Sequence, residues 1–119
     1  MAGRKKILIV EDNEEYSNDM KNLLEDHELE VICAFTGLEA LQIMRSSKEG
    51  EINLILSDVK MPDGDGVFLL KELAKENMRI PTFVFLTGYA EFLEEDIIKL
   101  GATALFDKPL DVNKLLKLL

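Results

Sequence analysis

Polar side chains follow several short apolar segments of this sequence, at or just after the point where each segment ends. Three of them are carboxylates, one is a hydroxyl and one is an ammonium group: Glu11, Asp12, Asp58, Thr87 and Lys108. Each alone has an ordinary explanation, because acidic residues and threonine often cap helices and a lysine before a proline fits a surface turn. Their joint occurrence after four separate segments is what indicates a functional site.

These residue types together indicate a particular chemistry. Carboxylates that crowd together repel one another and therefore need a cation. Oxygen ligands without histidine or cysteine favour Mg²⁺ or a similar hard ion over zinc, and Mg²⁺ leaves several positions to water and phosphate oxygens. Lys108 adds a positive charge that a metal site alone does not need. A lysine and a hydroxyl facing a metal-bound carboxylate suit a phosphoryl group.

The segments that must position these residues alternate between strand length and helix length. Continuous apolar runs, typical of strands buried on both faces, occupy residues 6–10, 31–34, 54–56, 82–86 and 104–106. Strands separated by single helices predict a parallel sheet with right-handed crossovers. Ligands of such a sheet bind outside the carboxyl ends of the strands. We therefore predict one doubly wound α/β domain over residues 1–119, with the polar residues gathered at one edge.

The intervening segments have the signals of amphipathic helices. Asn13 and Thr36 are expected to cap the first two helices, and Glu39 completes a capping-box pattern with Thr36. Gly101 is expected to end the fourth helix, which should span roughly residues 90–100. The last helix is expected to start near Asp111. The predicted apolar stripes of the first two helices are Tyr16, Met20, Leu23, Leu24 and His27, and then Leu38, Leu41 and Met44.

The bulk composition excludes several classes of protein. The 119 residues are 47% hydrophobic and carry a formal net charge of −9, which fits one acidic globular domain. Such a charge argues against direct binding of nucleic acid and against docking on anionic lipid, both of which need clustered basic residues. No apolar run reaches the roughly 18 residues of a membrane span. The start of the chain lacks the apolar core of a signal peptide, so we expect a cytoplasmic protein. Cys33, the only cysteine, is expected to be a buried, inert thiol.

The order of these motifs resembles the receiver domains of two-component response regulators over nearly the whole chain. The resemblance has four parts. They are the pair Glu11-Asp12, the segment 58–66 (DVKMPDGDG), the pair Thr87-Gly88, and Gly101-Ala102 leading to Lys108-Pro109. The segment 58–66 is close to the pattern D-x-x-M-P-x-x-x-G of that family. The resemblance implies a flavodoxin-like fold with strand order 2-1-3-4-5.

The resemblance also implies a role for each site residue. Asp58 would accept the phosphoryl group, and Thr87 and Lys108 would bind its oxygens. Asp12, Asp58 and the backbone carbonyl of Lys60 would bind Mg²⁺ directly, and Glu11 would hold the ion through water. The bond before Pro109 is expected to be cis. The phosphoryl donor would be a sensor histidine kinase, a phosphotransfer protein or a small phosphodonor.

Two positions depart from the usual family pattern, and two others are positions that affect the phosphoryl lifetime. Gly64 stands where many members have an apolar residue, and Leu105 stands where members commonly carry an aromatic ring. Lys60 and Tyr89 occupy positions that modulate the phosphoryl lifetime in this family. We predict that Leu105 stays packed in both states of the switch, with Tyr89 as the likelier group to reorient.

The end of the sequence suggests a longer protein. The last helix stops at Leu119 in an apolar run without a glycine or a polar cap. We therefore expect that the domain is cut from a larger chain, in which an output or kinase module follows. A free-standing domain with a frayed end is the alternative.

Three other functions fit the sequence less well. A phosphorylation-independent interaction domain would normally lose part of the acidic set or the lysine, and none is lost here. A Mg²⁺-dependent hydrolase of the haloacid-dehalogenase type needs a second Asp two residues after the nucleophile, where Lys60 stands. A flavin carrier is disfavoured because no Ser/Thr-rich loop follows the first strand.

Overall fold

The computed structural model describes residues 4–59, 66–88 and 94–119. Strands and helices alternate along the chain. The strands are β1 (Lys6–Val10), β2 (Glu30–Ala34), β3 (Leu54–Asp58), β4 (Thr82–Thr87) and β5 (Ala104–Asp107). The helices are α1 (Glu14–Glu25), α2 (Gly37–Ser46), α3 (Gly66–Lys75), α4 (Glu94–Lys99) and α5 (Val112–Leu116). No helix in the described part of the chain is both long and apolar enough to cross a membrane.

The five strands form one parallel sheet in the order β2-β1-β3-β4-β5. This confirms the predicted fold class and strand order. The strands β1, β3 and β4 are almost entirely buried, which explains their continuous apolar sequences. Since β1 lies between β2 and β3, its carboxyl end is the place where the connections diverge to opposite sides, as in other doubly wound sheets.

Two apolar clusters pack on the two faces of the sheet. Alternate residues of each strand contribute to each cluster, as the pleat requires. In β1, Leu8 and Val10 belong to one cluster and Ile7 and Ile9 to the other. The two clusters hold the strands in register, so the residues that follow them have fixed positions.

The predicted helix caps are confirmed. Asn13 Oδ1 accepts a hydrogen bond from the Tyr16 N–H at 3.0 Å, and Thr36 Oγ1 accepts one from the Glu39 N–H at 3.0 Å. The Glu39 carboxylate reaches back to the Phe35 N–H, one residue before the cap. Gly101, two residues after the last residue of α4, adopts φ +106, a left-handed conformation that favours glycine and ends the helix as predicted.

Several details of the predicted core are wrong. Leu23 and Leu38 are 43% and 51% exposed, because the buried faces of α1 and α2 centre on neighbouring residues such as Leu24 and Leu41. His27 lies beyond α1, which ends at Glu25, and is exposed. Cys33 is only partly buried, because β2 is an edge strand. The predicted start of the fourth helix falls in residues 89–93, outside the described residues.

Candidate functional site

The carboxyl ends of four adjacent strands bring the predicted site residues together. Glu11 follows β1, Asp58 is the last residue of β3, Thr87 is the last residue of β4, and Lys108 follows β5. Because β1, β3, β4 and β5 are consecutive neighbours in the sheet, their ends lie side by side. Asp12 comes next to Glu11 at the start of the loop before α1. Lys60, Gly64 and Tyr89 lie outside the described residues.

The three carboxylates form a compact acidic cluster. Glu11, Asp12 and Asp58 each offer an oxygen, and these atoms all lie within 4.8 Å of one another. Glu11 and Asp58 are only 2% and 8% exposed, whereas Asp12 faces solvent. Like charges at this spacing repel, and solvent does not reach two of the three groups to screen them.

Asp58 also has an unused acceptor. Its Oδ1 atom is buried and has no hydrogen-bond partner among the described residues. A buried acceptor without a partner costs free energy unless a donor or a cation satisfies it. The acidic cluster and this oxygen therefore fit a hard divalent cation such as Mg²⁺, which prefers oxygen ligands.

Lys108 supplies the one cationic side chain that contacts the described carboxylates of the cluster. Its Nζ donates hydrogen bonds to Glu11 Oε1 at 2.8 Å and to Asp58 Oδ2 at 3.3 Å. Burial alone would lower the pKa of Lys108, but these two carboxylates outweigh it and raise the pKa. The ammonium is therefore charged at neutral pH. One positive charge against three carboxylates still leaves a negative excess.

Burial and hydrogen bonding have opposite effects on the pKa of Glu11. Burial raises its pKa, and the hydrogen bonds from Lys108 Nζ and from the Asn13 N–H at 3.0 Å oppose that rise. Its carboxylate is thus held in place from two sides. The same oxygens that Lys108 contacts are among those a cation at the cluster would attract.

The backbone around the site is closely packed. The Lys108 N–H donates to the Thr87 carbonyl at 2.8 Å, which ties the end of β5 to that of β4, and the Lys108-Pro109 bond is cis as the resemblance predicted. Ser57 Oγ donates to the Asp58 carbonyl at 2.8 Å. A Cβ added to Gly66 would come within 3.0 Å of that carbonyl and of the Ser57 hydroxyl, so only glycine fits there without displacement.

Two residues at this edge were not predicted as part of the site. Ser57, the residue before Asp58 in β3, is fully buried, and the centroid of the Tyr16 ring lies 4.7 Å from Lys108 Nζ. The helical stripe assigned Tyr16 to the core, yet it lies in the first turn of α1, four residues after Asp12. That closeness to the acidic pair was the available signal. Leu105 is partly buried and packs against the apolar cluster that contains Phe83 and Phe85.

The chain matches known proteins over almost its full length. Residues 7–119 match the family described as "Response regulator receiver domain". The transcriptional regulatory protein CrdR of Helicobacter pylori is 33% identical over 113 residues, which are 94% of this chain and 52% of that protein. The sensor kinase CckA of Brucella abortus is 38% identical over 91 residues, 76% of this chain but only 9% of that protein. The chain therefore spans about half the length of CrdR and less than a tenth of the length of CckA.

A solved structure gives the same result. The response regulator TrrA of Thermotoga maritima, determined in complex with Mg²⁺-BeF, has a TM-score of 0.82 and 26% sequence identity. The match covers 97% of this chain and 99% of that one. The strand order, the residues at the strand ends and these similarities agree. The chain belongs to the response regulator receiver domain family, and it is a signalling domain of the two-component type.

Proposed function

We propose that this domain accepts a phosphoryl group on the side chain of Asp58 and changes the conformation of an output face in response. The observation that carries the proposal is the environment of the Asp58 carboxylate. One of its oxygens contacts the Lys108 ammonium at 3.3 Å, and the other is buried and has no hydrogen-bond partner among the described residues. The carboxylate also belongs to the acidic cluster with Glu11 and Asp12. The unpaired oxygen is available to attack phosphorus, while the neighbouring ammonium offsets the negative charge of the incoming phosphoryl group.

The proposed reaction is an in-line transfer. A carboxylate oxygen of Asp58 forms a bond to phosphorus while the bond from phosphorus to the donor breaks, and the donor leaves with the electron pair. Lys108 pairs with a phosphoryl oxygen and so offsets charge in the transition state. Thr87, buried at the end of β4, provides a hydroxyl for another oxygen. The product is an aspartyl phosphate, so the domain catalyses only its own phosphorylation and dephosphorylation.

The acidic cluster has a separate part in the proposal. Asp12, Asp58 and the Lys60 carbonyl would hold Mg²⁺ directly, and Glu11 would hold it through water. When bound, the ion supplies charge that lets a carboxylate and a phosphoryl group approach each other. The Mg²⁺-BeF complex of TrrA, a structure with the same fold, supports this assignment by similarity.

The donor and the wider protein follow from the family. We propose a sensor histidine kinase or a phosphotransfer protein as the partner, in the cytoplasm, and no direct contact with nucleic acid or membrane. CrdR and CckA are both longer than this domain, and one is a transcriptional regulator while the other is a sensor kinase. An output or kinase module joined to the domain is therefore part of the proposal.

A mass measurement tests the assignment of Asp58. With Mg²⁺ and acetyl phosphate, the intact protein should gain the mass of one phosphoryl group. Asp58→Asn should abolish the gain, and Asp12→Ala should reduce it strongly. Asp19→Asn, which changes an exposed aspartate of α1, should leave it unchanged. An unchanged gain in Asp58→Asn would refute the site, and no gain in the unmodified protein would favour a phosphorylation-independent interaction domain.

A further inference from the structure

The ammonium of Lys108 lies between two different surfaces. On one side are the carboxylates of Glu11 and Asp58, at 2.8 and 3.3 Å. On another is the face of the Tyr16 ring, whose centroid is 4.7 Å from Nζ. This distance is within the range of a cation–π interaction, in which the negative face of the ring attracts the cation. Lys108 is 27% exposed, so solvent screens the contact only in part.

Tyr16 is itself held firmly. It lies in the first turn of α1, and its N–H donates to the capping side chain of Asn13. Its ring packs against the apolar cluster that contains Met20 and Leu24. Its buried hydroxyl lies beside the backbone N–H of Leu110, although the two do not complete a hydrogen bond. The ring therefore spans from α1 to the loop before α5 and passes the Lys108 side chain on the way.

The two surfaces differ in what happens when a cation binds the acidic cluster. Glu11 and Asp58 would then be drawn to the cation, and their attraction for Lys108 would weaken. The lysine side chain has four rotatable carbons and a strongly hydrated head group, so it would be free to turn to solvent. The Tyr16 ring carries no charge and binds no hard cation. Its hold on Lys108 therefore persists when the carboxylates are engaged elsewhere.

We infer that Tyr16 is a positioning residue for Lys108, whose ring face keeps the ammonium beside Asp58 while the carboxylates are occupied. The inference rests on the proposed phosphorylation of Asp58. A residue with only a packing role would need apolar volume and no ring electrons. Tyr16→Phe keeps both the volume and the negative face, and Tyr16→Leu keeps only part of the volume. Fluorination of the ring removes the negative face while the shape hardly changes.

The rate of phosphorylation by acetyl phosphate with saturating Mg²⁺ is the measurement. Tyr16→Phe should react within about twofold of the unmodified protein, because the cation–π contact survives. Tyr16→Leu should react about three- to tenfold more slowly, which is the range a partly exposed contact of this kind gives. The variant with trifluorophenylalanine in place of Tyr16 should be phosphorylated as slowly as Tyr16→Leu. The variant with monofluorophenylalanine should react at an intermediate rate. Phe106→Leu, an aromatic substitution in the same apolar cluster, should keep the full rate.

The outcomes separate this inference from the proposed function. If the unmodified protein gains no phosphoryl group, the proposed function fails. If it is phosphorylated and the rate does not depend on ring fluorination, the inference is wrong and Tyr16 is a packing residue. Should Tyr16→Leu fail to fold in a thermal unfolding control, the fluorinated series still decides between the two, because those variants keep the ring.

Discussion

Gly66, the first residue of α3, packs so closely against the site that it leaves no room for a side chain. A Cβ at this position would collide with the Asp58 carbonyl, the Ser57 hydroxyl and the Phe85 ring. Two of these three neighbours belong to β3 directly at the phosphorylation site proposed here. The helix thus approaches the end of β3 as closely as a backbone without a side chain allows.

Gly66→Ala should therefore destabilise the protein. Overpacking of this kind costs about 1–3 kcal/mol, and the backbone carbonyl cannot move aside cheaply. Urea denaturation would measure the loss. Gly88→Ala is the matched control, because its Cβ would meet only the Lys108 Cδ at an ordinary 3.8 Å. Equal losses in both variants would mean that the packing at Gly66 is looser than described.

At this scale the sequence predicted which polar residues lie together at the carboxyl ends of the strands, but it did not predict the residues packed around them. Glu11, Asp58, Thr87 and Lys108 could be found because each follows an apolar strand, and parallel strands end at one edge. Tyr16 and Ser57 could not, because a partly apolar residue on a helix and a hydroxyl inside a strand both look like ordinary core positions. Their contacts at this edge depend on side-chain direction, which the spacing of residues does not specify.

Helix α2 is joined to Glu76, the residue directly after α3, by an ion pair on the surface. Arg45 Nε and a terminal guanidinium nitrogen donate to the two carboxylate oxygens of Glu76, at 3.0 and 2.6 Å. The guanidinium holds the pKa of Glu76 below its usual value. A carboxylate with a lowered pKa in the folded state stabilises the protein above its ordinary pKa. That contribution disappears as the pH falls through the folded-state pKa.

Glu76→Gln should accordingly reduce the sensitivity to acid. The free energy of unfolding, measured in urea at about pH 7 and about pH 3, should fall less in this variant than in the unmodified protein. The effect should be small, because the pair is largely exposed to solvent. Glu25→Gln changes a glutamate of α1 that makes no ion pair among the described residues, and it should follow the unmodified protein. A full acid response in Glu76→Gln would show that the pair contributes nothing.

The order and type of the elements could be predicted because strands buried on both faces give unbroken apolar runs. The residues at which the helices end were harder to predict. The stripe that included His27 continued past the true end of α1, where Glu28 adopts φ +63 and turns the chain toward β2. The periodicity of apolar residues contains no signal for such a turn. Leu23 and Leu38 were assigned to the core for a different reason, because the spacing of apolar residues does not separate the centre of a helix face from its exposed edge.

The whole molecule is strongly acidic, and part of that charge is concentrated at one place. The formal net charge is −9, and three of the carboxylates share the cluster at the ends of β1 and β3. A cation that binds the folded cluster and not the unfolded chain stabilises the fold by mass action. The gain is about 2.7 kcal/mol when its concentration is 100 times the dissociation constant.

Mg²⁺ should therefore raise the midpoint of thermal unfolding. NaCl at the same ionic strength should have a much smaller effect, because it only screens the charges. Asp12→Ala should remove most of the response to Mg²⁺ and leave the response to NaCl. An equal rise with both salts would mean that the cluster has no specific affinity for the divalent ion.

The hydrogen bond between Lys108 and Glu11 joins residues that are 97 positions apart, near the two ends of the described chain. During synthesis on the ribosome, the acidic residues at the ends of β1 and β3 are made long before the lysine that contacts them. A chain in which β5 has not yet docked on β4 has the proposed nucleophile, Asp58, but no ammonium beside it. If Asp58 is phosphorylated as proposed, the site becomes complete only when the last strand docks. We therefore expect a phosphoryl donor to modify fully folded molecules in preference to nascent or partly unfolded ones.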